Sequence, residues 1–205
     1  MPHPDPCSTG AYRHVNRAGE AYYLQSKPDT RGKTRYSFAR KITGTPCPAI
    51  PEGYEAREDP RSAQVTLRKR QPSQILDEEL ALLTDAVRRA CPGLYFIIDR
   101  EARSLVIYTA DIELDSQLAS LRAILSISDS AADTWRREIA ERARYAAMMK
   151  FTLATTRPRR FYPYRWHFSG SIDDWISIGG GPAPLAELTR KFVPHLNQES
   201  FFDLM

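Results

Sequence analysis

The sequence predicts an α+β protein in which an N-terminal antiparallel β-meander is followed by helices and two short β-hairpins. Three observations predict it. Turn-forming clusters cut residues 12–70 into short runs rich in aromatic and β-branched side chains. Leucines recur at helical spacing from Leu76 onward, and after Tyr95 brief apolar runs flank polar turns. With 205 residues and 42% apolar content the chain can bury a sizeable core, as one large domain or two small ones.

The meander opens with Tyr12–Val15 and Glu20–Ser26, separated by Asn16-Arg17-Ala18-Gly19. Pro28-Asp29-Thr30-Arg31-Gly32 turns the second run into Thr34–Ile42. Pro46, Pro48 and Pro51 make the next stretch an irregular crossing, since proline cannot donate to a sheet ladder. A further hairpin, Tyr54–Glu58 and Ala63–Arg70, turns at Asp59-Pro60-Arg61-Ser62. The expected organisation is a flexible arm at 1–11, a basic β-rich module at 12–72 and a helix-and-hairpin module at 73–205, with one continuous domain as the variant.

Ser73 is placed to cap a helix whose first turn carries Asp77, Glu78 and Glu79, with Leu76, Leu80, Leu83 and Val87 as its core stripe and Pro92-Gly93 as its stop. Tyr95–Ile98 and Leu105–Tyr108 read as one hairpin. Leu114, Leu118, Leu121 and Leu125 repeat the helical spacing, and Trp135, Ile139 and Ala143 do so in a third helix ending near Tyr145. Met149–Thr155 and Arg160–Phe168 then pair around Arg157-Pro158-Arg159, followed by short helices at Ile172–Ile176 and Leu185–Phe192.

The net charge of +4 is unevenly placed: residues 1–72 hold thirteen Lys and Arg against seven Asp and Glu, the remainder sixteen against eighteen. That imbalance excludes a protein coated with nucleic acid over its whole surface and points to a regional anionic contact. Residues 27–41 carry six cations and one acid around Tyr36 and Phe38. Alternation along Thr34–Ile42 sends Tyr36 and Phe38 toward a core face, and Arg35 and Lys41 toward a cationic one. Lys27, Arg31 and Lys33 crown the loop, and Arg68 and Arg70 extend the set from the second hairpin. Such cations position a phosphate backbone without reading bases. The bland reading is a solvated sheet face whose charges discourage edge pairing.

Arg157, Arg159 and Arg160 form a second basic cluster ahead of Tyr162, Tyr164, Trp166 and Phe168, whose shared face reads as core. Asp111, Glu113 and Asp115 resemble a magnesium seat only if extended, and as first-turn helix acids they have a structural role. Adjacent Asp173 and Asp174 diverge on a helix, and Gly179-Gly180-Gly181 lacks the rest of a phosphate loop. His3, Cys7, His14 and Cys47 have no zinc-site spacing, Cys91 sits where the helix dipole disfavours a thiolate, and His167 and His195 are isolated. The sequence thus assigns no metal and no cofactor. Three scattered cysteines, no apolar leader and no apolar span fit a cytoplasmic protein without a membrane partner.

Two runs, Ile50-Pro-Glu-Gly-Tyr-Glu55 and Gly170-Ser-Ile-Asp-Asp-Trp175, resemble segments of an uncharacterised bacterial protein family. That family has no assigned activity, so the resemblance implies no functional residue. The reading is therefore a non-catalytic module whose basic hairpin meets an anionic partner, DNA or RNA above all. Its alternatives are an enzyme built around Arg159 or Asp111–Asp115, and a protein-interaction subunit whose tail Phe201-Phe202-Asp203-Leu204-Met205 enters a partner.

Overall fold

The computed structural model describes residues 10–110, 129–167 and 174–204. Among them the protein is mostly β, with eleven strands in three antiparallel sheets and three short helices, 40% strand and 23% helix. This corrects the α+β expectation. The meander is present, but the two later hairpins are parts of one sheet and the helices are few. The leucine run 114–125 lies outside the described residues. Where a helix was expected at Ile172–Ile176, Asp174–Ser177 is a strand pairing Trp175 with Trp166 and Ile176 with Arg165. An aromatic and a β-branched residue side by side suit a half-buried pleat better than a helical turn.

The chain divides into two compact units, one holding residues 10–70 and 129–143 of those described, the other 71–110, 144–167 and 174–204. In the N-terminal unit the strands are β1 (Arg13–Val15), β2 (Ala21–Pro28), β3 (Thr34–Ala39), β4 (Thr45–Pro46), β5 (Tyr54–Glu58) and β6 (Val65–Lys69). β1, β2 and β3 lie side by side, β4 also pairs with β2, and β5–β6 form a separate ribbon. The proline-rich crossing therefore contributes a two-residue edge, with Pro46 opposite Gln25. Gln25 is buried, and its Oε1 accepts from the amides of Thr43 and Gly44 at 2.7 Å each. Gly44 is required there: a Cβ would lie 2.5 Å from the Ser26 carbonyl oxygen and 2.8 Å from the Lys27 side chain.

The turn after β1 ties the two sheets together. Asn16, buried, donates to the Ala63 carbonyl at 2.9 Å and accepts from the Glu20 amide at 2.8 Å. Arg17 binds Glu58 twice, through its amide at 2.9 Å and Nη1 at 2.6 Å, and donates to the carbonyls of Asp59 and Pro60. Nη2 also reaches the Ala143 carbonyl, just beyond helix α2 (Asp129–Arg142), at 3.4 Å. That helix presents Trp135 to solvent and buries Ala140, so its expected stripe is rotated.

The C-terminal unit contains β7 (Phe96–Arg100), β8 (Ser104–Ala110), β9 (Tyr145–Thr156), β10 (Arg159–His167) and β11 (Asp174–Ser177), in the order β11-β10-β9-β8-β7. Helices α1 (Asp77–Ala90) and α3 (Leu185–Phe192) share its core: Leu83, Val87, Leu188 and Phe192 join Leu105, Ile107, Met149, Phe151 and Phe161. Ser73 does not cap α1; it donates to the Glu101 carbonyl, and Glu79 instead accepts from the Leu76 amide.

Two outcomes follow for stability. Gly44→Ala destabilises the N-terminal unit by about 1–3 kcal/mol, because the backbone oxygen it meets cannot rotate away. Arg17→Ala costs that unit about 2–4 kcal/mol, by removing the cation from Glu58, which keeps only the residue-17 amide, and the donors to two turn carbonyls. Denaturant unfolding of the full chain, read separately for each unit, measures both.

Candidate functional site

Among the described residues, the β2–β3 hairpin carries a dense group of exposed cations. Its register sets Lys27 opposite Arg35, so both side chains leave one face, while Leu24 opposite Phe38 and Ser26 opposite Tyr36 occupy the other. Lys27, Arg31, Lys33, Arg35 and Lys41 are all exposed. Asp29, the lone acid of the loop, is largely consumed within it, Oδ1 accepting from the amides of Arg31 and Lys33 at 2.8 Å each. Its other oxygen lies 3.6 Å from Arg35, whose side chain remains 80% exposed. Such a pair contributes little in water. Among the described residues Lys27, Arg31, Lys33 and Lys41 form no side-chain ion pair, whereas Arg40 pairs with Glu20 at 2.7 Å. The expected core face is partly open: Tyr36 is 41% exposed.

Arg68 and Arg70 have different fates. Arg68 binds Glu55 at 2.7 Å across the β5–β6 ribbon and is partly neutralised. Arg70 is exposed, its amide held to the Gly53 carbonyl at 2.8 Å. It lines an open cleft of about 500 Å³ with Tyr12, His14, Ile50, Pro51 and Tyr54. The rings of Tyr12 and His14 each meet Phe38 edge-on at 6.2 Å, which fixes their planes. The sequence reading missed this cleft. Its available signal was the alternation of Tyr12 and His14, which places both on one face of the opening strand.

The second arginine cluster lies in the C-terminal unit, and its members are bonded differently. Arg159 is a structural residue: Nε and Nη2 hold Glu79 at 2.5 and 2.8 Å, and Nη2 also donates to the Gln74 carbonyl. That hydrogen bond to Glu79 holds the Arg159 pKa above its ordinary value. Arg160 donates to the Pro182 carbonyl at 3.1 Å, and Arg157 is exposed beside a cis proline. Arg157 and Arg160 both stay exposed, and Arg159 is the half-buried member of the three.

The aromatics of β10 also depart from expectation. Phe161 and Pro163 face the core, with the buried Arg165 in the same alternation, while Tyr162, Tyr164 and Trp166 take the other side of the sheet. There Lys150 lies 4.3 Å from the Trp175 ring centroid and 5.2 Å from that of Tyr164. Burial lowers the Lys150 pKa, partly offset by Glu101 and Asp174. Alternation reveals two faces but not which one the helices cover.

Asp111, Glu113, Asp115, His3, Cys7, Phe168 and Asp173 lie outside the described residues. Among the described residues no three His, Cys, Asp or Glu side chains gather as metal ligands, and no helix is long and apolar enough to cross a membrane. Cys91 donates weakly to the carbonyls of Val193 and Leu196, and burial raises its pKa. In the tail Phe201 is 1% exposed in the core, while Arg165 donates to the carbonyls of Phe202 and Leu204 at 3.0 and 2.8 Å. Compared with known proteins, the chain matches no family model, no curated protein and no solved structure.

The tail geometry separates its two phenylalanines. Phe201→Ala should cost about 3–5 kcal/mol in thermal or denaturant unfolding. Phe202→Ala, at a side chain 57% exposed, should stay within about 0.5 kcal/mol of the parent.

Proposed function

We propose that the protein is a non-catalytic, cytosolic binding module whose N-terminal unit engages the phosphates of nucleic acid through the β2–β3 hairpin. The supporting observation is the imbalance left after neutral pairs are removed. Lys27, Arg31, Lys33 and Arg35 remain exposed around one turn whose only acid is tied to backbone amides, and Lys41 is exposed beyond the far end of β3. A β-ribbon presenting five solvated cations meets a row of phosphates at little desolvation cost. Release of condensed counterions then drives association. Arg70 lies in the same unit and adds a cation beside the aromatic cleft. Arg68 and Arg159 are left out of the contact set because carboxylates already hold their guanidinium groups, and Arg160 because it belongs to the other unit.

Five phosphate contacts give a log-affinity against log-salt slope of roughly −3 to −5. The Lys33→Glu, Arg35→Glu double variant should weaken binding to labelled DNA or RNA at every salt concentration and flatten that slope by about 2. A salt-independent affinity, or one that the double variant leaves unchanged, contradicts the proposal.

A further inference from the structure

The aromatic cleft of the N-terminal unit combines three kinds of group beyond the phosphate-facing hairpin. Tyr12 and His14 supply ring systems from the first sheet, Tyr54 supplies a third from the start of β5, and Arg70 supplies a cation at the end of β6. Phe38 holds Tyr12 and His14 from behind, and the Arg70 backbone is tied to Gly53 in the turn that precedes Tyr54. Of the two acids lining the cleft, Glu55 is paired with Arg68 at 2.7 Å and Glu52 is exposed at the lip. The space is about 500 Å³, within the roughly 300–1,000 Å³ of small-ligand sites.

We propose that this cleft receives an unpaired nucleobase, stacked on its tyrosines, with Arg70 on the adjoining phosphate. The inference rests on the nucleic-acid reading of the hairpin and narrows it to single strands. A base within a duplex is covered on both faces by its neighbours and cannot enter a concavity, whereas an unpaired base can be splayed out and stacked on an aromatic ring. Arg70, exposed and without a side-chain ion pair among the described residues, is free to meet a phosphate bidentately. The cleft shares a sheet face with Tyr36, whose exposed ring extends the aromatic surface along β3 toward the hairpin tip. Lys27 and Arg35 leave the opposite face, so one strand touching both sets passes around the tip, where Arg31 and Lys33 lie.

The test uses the full chain and an oligonucleotide carrying one 2-aminopurine, as a single strand and as a blunt duplex of the same sequence. The expected result is that the single strand binds at least about tenfold more tightly and that 2-aminopurine emission is quenched on binding. Tyr54→Ala should weaken single-strand binding by roughly 5- to 150-fold. Tyr54→Phe, which keeps the ring, should restore it. Arg70→Gln, at an exposed position, should weaken single-strand binding by a larger factor than duplex binding. Equal affinity for both forms, with Tyr54→Ala and Arg70→Gln indistinguishable from the parent, overturns the cleft assignment while leaving the hairpin reading standing. Loss of both forms only in the Lys33→Glu, Arg35→Glu variant likewise overturns the cleft and spares the hairpin. Absence of binding to either form by the parent removes the hairpin reading and this one with it.

Discussion

Arg17 leaves the turn between β1 and β2 and grips Glu58 with its amide and its guanidinium, at 2.9 and 2.6 Å. The same side chain takes the carbonyls of Asp59 and Pro60, and its neighbour Asn16 takes that of Ala63. These contacts join a four-stranded sheet to a two-stranded ribbon, and an isolated two-stranded ribbon is marginally stable at best. Glu58 is held by charge and by two donors, the arrangement in which a partly buried ion pair repays its desolvation. The cleft depends on this clamp, because it has Tyr12 and His14 on one side and Tyr54 on the ribbon.

The clamp also governs where charge is left over. Arg17, Arg40 and Arg68 are matched by Glu58, Glu20 and Glu55. Asp29 is taken up by the loop amides that shape the hairpin turn. Part of the basic surplus of residues 1–72 is consequently gathered at the β2–β3 tip, in Lys27, Arg31, Lys33 and Arg35, with further exposed cations at Arg13, Lys41, Lys69 and Arg70. In the C-terminal unit the corresponding arginines are structural. Arg159 binds α1 to the sheet through Glu79, Arg100 meets Asp77 and the Ile75 carbonyl, and Arg165 fixes the tail.

Local signals are legible in the sequence and non-local ones are not. Gly19 and Gly32 in their turns, the alternation of β3 and the stripe Leu80, Leu83, Val87 each follow from residues close in the chain. Joining the later hairpins into one sheet requires Leu105 to find Phe151, a pairing that no periodicity encodes. The same limit applies to the arginines: Glu79 stands 80 residues before Arg159, so only the fold reveals that they meet. The strand at Asp174–Ser177 passes for a helix because four residues are too few to separate a period of 2 from one of 3.6. Alternation puts Tyr36 on the correct side of its strand but does not say whether that side is closed.

Amide-resolved NMR titration of the full chain with a short single-stranded oligonucleotide tests the central claim most directly. The account predicts shifts confined to the N-terminal unit, centred on residues 27–41 and on the cleft residues 12–14, 50–56 and 70. Shifts centred instead on the β9–β11 strands, or no shifts at low salt, would contradict it.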